Sequence, residues 1–419
     1  MRAIRGGLFA LAAAALASWI VACARPYPHA VFPSMAVGEP SFFPTLEAYA
    51  QAPIVGGNRI DILLNGDQLF PAMLEAVRSA KKTINYAQYT YEEGPVGREF
   101  AEALAERCRA GVTVNVLLDG FGTIGMPPEY TTLLTQAGCH VATFRPLDPF
   151  AFQSANHRNH RRILVVDGRV GFTGGSGIGA AWMGDGRTGE HWRNTDLRME
   201  GRAVEYLQGA FVENWLEATG VVLGGEDFFP RPVEPMGQVY AQVVRSSPSA
   251  GSFGLYTTFL LAISSAQHSI HVTNPYFVPD ADMLDALVQA AGRGVRVLLL
   301  IPGVIDHILV KPASRREFGR LFQAGVEIYE YQPALLHAKT MTIDGRWSTI
   351  GSANFDNRSF ALNDELSAVI YSRDVAAGLD RAFADDLLHA KKLEYGKWRR
   401  RGLMERLFEL FTIPLHDFL

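Results

Sequence analysis

Two short stretches of the sequence carry matched side chains that could cleave or form a phosphodiester bond. Each has a histidine, a cation two residues later and an aspartate five residues after the cation. The two sets are His160, Arg162 and Asp167, and His337, Lys339 and Asp344. Because residues i and i+2 share a face of an extended strand, the imidazole and the cation would project into one pocket. A histidine there could act as nucleophile or general acid, and the cation could bind phosphoryl oxygens.

A glycine-rich turn follows each set, which argues against a chance match of one short motif. The first turn contains Gly174-Gly175, and the second contains Gly351-Ser352-Ala-Asn354. Ser352 and Asn354 are candidates to support Lys339 around a phosphoryl group, because neutral donors and cations together stabilise its charge. The repetition predicts a single site to which both stretches contribute.

The elements around the two motifs are also duplicated. A predicted strand that contains Ile84, a helix and a second strand after Gly111 have counterparts around Ile270 and Gly294. Strands that alternate with helices indicate an α/β fold, and runs of β-branched residues indicate strands buried on both faces. We therefore predict two tandem α/β halves related by a pseudo-two-fold axis, with the active site at their interface.

The paired motifs resemble the HKD signature of the phospholipase D superfamily, and the chain is similar to its cardiolipin synthase branch. The similarity extends from about Asp61 to the C-terminus. It includes Asn274-Pro-Tyr-Phe-Val-Pro279, Gly351-Ser-Ala-Asn-Phe-Asp-Asn-Arg-Ser-Phe360 and Asn363-Asp-Glu365. The resemblance implies tandem phospholipase D-like α/β sandwich halves and a phosphatidyltransferase that needs no cofactor. It also implies His160 as the nucleophile, His337 as general acid and base, and a phosphohistidine intermediate.

The implied substrate is a phospholipid, with phosphatidylglycerol favoured, and the implied partner is a membrane surface without an obligate protein partner. Three alternatives stay open. The first is a phospholipase D hydrolase that releases phosphatidic acid, and the second is a nuclease-like phosphodiesterase. The third is a non-catalytic phospholipid-binding lipoprotein, because Arg162 and Gly177 depart from the family's lysine and asparagine. Since both histidines are present, we interpret the departures as a tuned or slower site.

A carboxylate should orient each imidazole. The acids downstream of the motifs are Asp196 for His160 and Glu365 for His337. Asp167 and Asp344 complete the two catalytic motifs, but each precedes a glycine turn, so we expect them to anchor that turn rather than to carry protons. The aromatic residues around Tyr89 and Tyr276 follow predicted strands. They line either a substrate channel or the core.

The sequence divides into five predicted segments. They are a signal peptide with a lipobox or a membrane anchor at 1–23, a linker or arm at 24–60, the first half at 61–229, an inter-half linker at 230–249, and the second half at 250–419. The first segment has Arg2 and Arg5 before an apolar run and ends at Cys23, a candidate lipidation site. We therefore expect attachment to a membrane of a bacterial cell envelope.

Cysteine and histidine spacing matches no zinc motif, so no metal is predicted. Cys108 and Cys139 are either a disulfide, which an export compartment would permit, or free buried thiols, which we favour. The net charge of −4 argues against nucleic acid as a partner, although a local basic groove would be compatible with it. The C-terminal segment that contains Trp398 is basic next to apolar residues. It is typical of either an interfacial helix or a terminal helix packed on the domain.

Overall fold

In the computed structural model of the chain, residues 35–147, 156–305 and 310–412 are described. Helices and strands alternate along them as predicted. The helices are α1 Phe42–Ala50, α2 Asn65–Ser79, α3 Pro95–Arg109, α4 Pro128–Gln136, α5 Ala203–Thr219, α6 Gly254–Ser264, α7 Ala281–Gly292, α8 Val310–Ala324, α9 Asn357–Ala361, α10 Arg373–Leu388, α11 Tyr395–Arg399 and α12 Leu403–Phe411.

The strands alternate with these helices. They are β1 Val55–Leu64, β2 Thr83–Gln88, β3 Thr113–Asp119, β4 His140–Phe144, β5 Ile163–Val166, β6 Val170–Gly174, β7 Thr195–Glu200, β8 Val239–Ser246, β9 Ser269–Thr273, β10 Phe277–Val278, β11 Arg296–Pro302, β12 Glu327–Tyr331, β13 Thr340–Ile343, β14 Trp347–Gly351, β15 Phe355–Asp356, β16 Glu365–Tyr371 and β17 Ala390–Lys392. All residues of β2, β5 and β14 are buried, as expected for strands covered on both faces.

Fifteen of these strands form one sheet, in the order β17-β12-β11-β9-β13-β14-β16-β8-β1-β7-β6-β5-β2-β3-β4. Apart from the additional edge strand β17, the two halves correspond strand by strand. Outward from the central pair, β8-β16-β14-β13-β9-β11-β12 of the second half matches β1-β7-β6-β5-β2-β3-β4 of the first. In each half, three parallel strands are followed by antiparallel ones. The predicted duplication and the α/β fold class are therefore confirmed.

The two halves join edge to edge through the antiparallel pair β1–β8. The predicted inter-half linker at 230–249 is wrong over Val239–Ser246, which forms β8, and the segment predicted as a linker or arm at 24–60 includes the start of β1 at Val55. The arm also contains α1, whose Phe42 and Leu46 are fully buried against the second half. These segments are rich in proline and glycine, but burial of their apolar side chains makes them part of the folded domain.

Apolar clusters fill both faces of the sheet. Helices α2, α3 and α4 cover one face of the first half, and α6, α7 and α8 cover the corresponding face of the second. On the opposite face, α5 and α10 pack against the central strands of both halves. A Cβ on Gly378 of α10 would lie 2.8 Å from Cδ1 of Ile62 in β1, so this second-half helix touches a first-half strand closely.

Cys108 and Cys139 form a disulfide, with Cα atoms 5.5 Å apart. The favoured expectation of free thiols is therefore wrong. The bond connects the C-terminal turn of α3 to the residue before β4, which are 31 residues apart in sequence. A cross-link of this kind stabilises a fold mainly by restricting the unfolded chain.

The predicted leader and its lipidation candidate Cys23 lie outside the described residues. Among the helices that the structure does describe, none combines the length and the apolar character needed to cross a membrane. The C-terminal segment forms the two short helices α11 and α12, and the ring of Trp398 in α11 lies against Gly319 of α8.

Candidate active site

The two motifs meet at the carboxyl ends of the parallel strands. His160 and Arg162 directly precede β5, and His337 and Lys339 directly precede β13. Each histidine is bonded by its backbone to the other half. The amide of His160 donates to the carbonyl of Asp364 at 2.9 Å, and the amide of His337 donates to the carbonyl of Arg193 at 2.7 Å. The two motif segments therefore pair across the pseudo-two-fold.

The side chain of His160 is held in one defined state. Nδ1 lies 2.8 Å from Oε1 of Glu365, and Nε2 lies 3.1 Å from Nη2 of Arg162. A carboxylate only accepts and a guanidinium only donates, so Nδ1 carries the proton and Nε2 presents its lone pair. Burial, followed by the charge of Arg162, lowers the pKa of His160 to about 4 despite the opposing effect of Glu365. The ring is therefore neutral at pH 7, as a nucleophile must be.

The side chain of His337 has different neighbours. The ammonium of Lys339 lies 3.2 Å from its Nδ1 and 3.1 Å from its Nε2, and donates to its carbonyl at 2.7 Å. Burial and then the charges of Lys339, Arg162 and His160 hold the pKa of His337 well below its usual range. An anionic phosphoryl group between these cations would reverse part of that shift, because opposite charge favours the protonated imidazole.

The predicted pairing of Glu365 with His337 is wrong. Glu365 contacts His160, not His337, although both Glu365 and His337 belong to the second half. The reason is the crossed backbone pairing, which brings the residue before Glu365 to His160. Burial would raise the pKa of Glu365, but contacts with His160 and with the hydroxyl of Ser352 keep it below its usual value. Glu365 is thus an ionised, fully buried orienting group.

Asp196 occupies the corresponding place in the first half. Its carboxylate accepts from the amide of Ser176 at 3.1 Å and from the hydroxyl of the same residue at 2.6 Å. This repeats the bond between Ser352 and Glu365. Burial raises the pKa of Asp196 to about 6, against the opposing effects of Ser176, Arg162 and Lys339. Asp196 does not orient His160, whose Nδ1 is already bonded to Glu365.

The two motif aspartates lie away from the histidines, as expected. Asp167 accepts from the amides of residues 81, 82 and 83, where β2 begins. Asp344 accepts in the same way from the amides of residues 267, 268 and 269, where β9 begins. Each thus connects its glycine turn to the amino end of a parallel strand, and neither can transfer a proton at the site.

Aromatic rings enclose both imidazoles, and two of them were not predicted. Tyr89 lies 4.8 Å from His160 between ring centroids, and Tyr276 lies 6.4 Å from His337. Their neighbours Tyr91 and Phe277 are buried in the core instead, so the aromatic runs divide between site and core. The ring centroids of Trp182 and Trp192 lie 6.0 Å and 5.2 Å from that of His337. No local sequence motif predicts these contacts.

Gly177, where the second motif has Asn354, makes room for one of these rings. A Cβ at Gly177 would lie 3.0 Å from the Trp182 ring and 2.9 Å from Cβ of Thr90. An asparagine there would displace the ring. Compared with Asn354 of the second motif, Gly177 therefore lacks a polar side chain, and the indole of Trp182 lies beside His337 instead.

Several buried polar atoms of the site have no protein hydrogen-bond partner among the described residues. They include Nε of Arg162, Oδ1 of Asn354 and Nε1 of Trp182. Buried polar groups are normally paired, so the free Nε suits an anionic ligand. In the described part of the chain, no cluster of three or more His, Cys, Asp or Glu side chains is arranged to hold a metal ion.

The chain is similar to known proteins over most of its length. A family model described as the cardiolipin synthase, PLD-like domain matches residues 73–183 and 259–387. Cardiolipin synthase 1 of Bacillus anthracis is 32% identical over 87% of this chain and 74% of its own length. The cardiolipin synthase of Geobacillus kaustophilus is 36% identical over 86% of this chain and 72% of its own length.

Among solved structures, the phosphatidylserine synthase of Haemophilus influenzae superposes with a TM-score of 0.69. The match covers 90% of this chain and 100% of that one at 12% sequence identity, and it supports the tandem fold alone.

Proposed function

The chain belongs to the cardiolipin synthase branch of the phospholipase D superfamily and is a phosphatidyltransferase of that class, and we propose that phosphatidylglycerol is its donor and acceptor. The observation that carries the assignment of roles is the state of His160. Its Nδ1–H donates to Glu365 and its Nε2 is unprotonated, which is the tautomer that attacks phosphorus once Arg162 donates to the phosphoryl oxygens instead of to Nε2.

In the first step, Nε2 of His160 attacks the phosphorus of one phosphatidylglycerol. A P–N bond forms, the P–O bond to the glycerol headgroup breaks, and His337 delivers a proton to the leaving oxygen. In the second step, His337 takes the proton from a hydroxyl of a second phosphatidylglycerol. The hydroxyl oxygen attacks phosphorus, so a P–O bond forms and the P–N bond to His160 breaks. The products are cardiolipin and glycerol, and both imidazoles return to their starting states.

The surrounding residues supply the charge that this sequence needs. Arg162 and Lys339 lie beside the two imidazoles, where they stabilise the equatorial phosphoryl oxygens as negative charge develops. The rings of Tyr89, Trp192 and Tyr276 reduce access of water to the imidazoles. Exclusion of water favours an alcohol as acceptor over hydrolysis of the intermediate.

Lipid analysis of purified full-length protein in phosphatidylglycerol vesicles tests this proposal. We expect cardiolipin and glycerol from the unsubstituted chain and from His268→Ala, a matched variant of an exposed histidine, but not from His337→Ala. With labelled phosphatidylglycerol, His337→Ala should still accumulate phosphatidyl-protein, because the nucleophile remains, whereas His160→Ala should not.

Other products would change the conclusion. Phosphatidic acid without cardiolipin would identify a hydrolase. Labelled protein from His160→Ala but not from His337→Ala would exchange the two roles. No product from any variant would indicate a different phosphodiester substrate.

A further inference from the structure

Exposed apolar side chains lie on the loops around the histidines. The parallel strands of both halves have their carboxyl ends at the site, where the backbone bonds of His160 and His337 join the halves. Tyr89 directly follows β2 and contacts His160, and Asp119 at the end of β3 accepts from the amide of Asn159 at 2.9 Å. Loops that leave these strands therefore surround the entrance to the site.

In the first half, these loops present three large apolar residues. Phe121 and Ile124 follow β3 and are 54% and 65% exposed, and Leu147 follows β4 and is 50% exposed. Solitary exposed apolar residues are common, but three in neighbouring loops around the site form a patch.

The second half repeats the arrangement. Val304 and Ile305 follow β11, the counterpart of β3 in the sheet order, and are 46% and 37% exposed. Apolar residues thus flank the site on both sides of the pseudo-two-fold. We call Phe121, Ile124, Leu147, Val304 and Ile305 the apolar rim.

Helix α12 extends this surface. Its residues Leu403, Met404, Leu407 and Leu410 recur at helical spacing and are 73%, 66%, 49% and 58% exposed. The helix lies beside the carboxyl ends of the second-half strands. Arg315 is 4.0 Å from Glu405 of α12 and lines a cavity with Pro275 and Pro302, which follow or end β9 and β11.

Cationic side chains flank this apolar stripe. Within the described residues, no carboxylate lies within 4 Å of Arg399, Arg400 or Arg406, although other arginines nearby are paired. Nε of Arg400 donates to the carbonyl of Gly396, and Nη2 of Arg406 donates to the carbonyl of Arg399. An apolar stripe beside arginines with no carboxylate within 4 Å in the described part of the chain matches an anionic bilayer surface, in which acyl chains lie beneath charged headgroups.

We propose that the face of the molecule around the two histidines meets an anionic phospholipid bilayer, with the apolar rim inserted among the headgroups and α12 lying in the interface. A lipid could then present its phosphate to the histidines while its acyl chains remain in the membrane. The link to turnover rests on the proposed function, but the orientation is a separate claim about the surface.

The orientation is tested on the full chain in vesicles of phosphatidylcholine with and without phosphatidylglycerol. An environment-sensitive dye is attached to Ile124→Cys, Leu407→Cys or Met236→Cys, and the unsubstituted chain supplies the background signal. Met236 is a matched control, because it is 48% exposed and its amide donates to the carbonyl of Gly57, near the end of β1 that lies away from the site. Nitroxides on the acyl chains should quench the dye at positions 124 and 407 more strongly than at 236, and more with phosphatidylglycerol present.

Equal quenching at all three positions would overturn the orientation, as would dye contact between copies of the chain without lipid quenching.

In a second measurement, Ile124→Ser combined with Leu407→Ser should lower turnover of vesicle phosphatidylglycerol about tenfold. Turnover of dissolved short-chain phosphatidylglycerol should be unchanged, and an equal loss with both substrates would contradict the proposal. If the unsubstituted chain turned over neither substrate, the proposed function would fail while the quenching result still decided the orientation.

Discussion

At the residue scale, the two histidines have the same spacing in sequence but opposite surroundings. His160 has a carboxylate on Nδ1, whereas His337 has an ammonium near both ring nitrogens. A carboxylate stabilises the charge that develops on an attacking imidazole, and a neighbouring cation makes a protonated imidazole a stronger acid. The asymmetry fits a nucleophile and a general acid in one site.

The Glu365→Gln variant tests whether the carboxylate of Glu365 orients His160 and stabilises its charge. A glutamine keeps the size of the side chain but no longer stabilises a charged His160. We expect turnover to fall about 100-fold or more, by analogy with other histidine–carboxylate pairs. Steady-state turnover and trapping of the phosphatidyl-protein measure the effect. Glu217→Gln, which changes an exposed acid, should leave both unchanged, and an unaffected Glu365→Gln would contradict the orienting role.

Asp196 should impose an acid limit on activity. Because its pKa is raised to about 6, the carboxyl loses its charge as the pH falls through that value, and the cations of the site lose their counter-charge. We expect kcat/KM to decline below about pH 6, and Asp196→Asn to lower the plateau and remove this limb. Protonation of Asp196 would not unfold the protein at low pH, so unfolding does not explain such a decline. A carboxyl whose folded pKa exceeds its unfolded value contributes stability at low pH and loses it as the pH rises.

The motif residues themselves could be predicted from the sequence, since their spacing is local. The partner of each histidine could not be, because Glu365 reaches His160 only through the crossed pairing of Asp364 with the first motif. Trp182 and Trp192 escaped prediction for the same reason. Their contacts with His337 depend on how the halves meet rather than on sequence neighbours.

At the scale of elements, Arg161 holds together the parts that position the first motif. This fully buried side chain donates to the carbonyls of Glu365 and Ala210 and to the side chain of Asn214. It also donates to the carbonyl of Ser246 and the hydroxyl of Ser247. The guanidinium therefore connects α5, β8 and β16 directly beside His160.

The Arg161→Met variant should be strongly destabilised. Methionine fills much of the same volume but leaves several buried acceptors unpaired, which costs about 3 kcal/mol or more of unfolding free energy in total. Urea denaturation followed by circular dichroism measures the loss. Arg59→Met, which changes an exposed arginine, is the comparison and should alter stability by less than about 1 kcal/mol. Equal stabilities would show that the buried acceptors find other donors.

The core elements follow from the sequence, because buried strands and amphipathic helices leave periodic patterns. Strands β1 and β8 were missed, since they adjoin segments rich in proline and glycine and are fixed by pairing with each other and with β7 and β16. The disulfide was left open because the proximity of Cys108 and Cys139 depends on packing of α3 against β4. Composition says little about such long-range contacts.

At the scale of the whole molecule, the site exists only when the halves are joined, and ion pairs across the interface support that union. Arg193 of the first half donates from Nε to Asp386 of α10 at 2.9 Å, and both side chains are buried. The carbonyl of Arg193 also accepts from the amide of His337. Arg187 pairs with Asp385 nearby. The stability of the interface and the placement of His337 are therefore coupled.

A double-mutant cycle at this pair tests the coupling. Arg193→Met leaves Asp386 buried without its cation, and we expect a loss of about 3–5 kcal/mol in unfolding free energy together with lower turnover. Combining it with Asp386→Leu removes the uncompensated charge, so most of the stability should return, and turnover with it if the interface again places His337. Urea denaturation and turnover of phosphatidylglycerol are measured on all four chains. A double variant as unstable as Arg193→Met would assign the effect to the bond of Arg193 with Thr195 inside the first half instead.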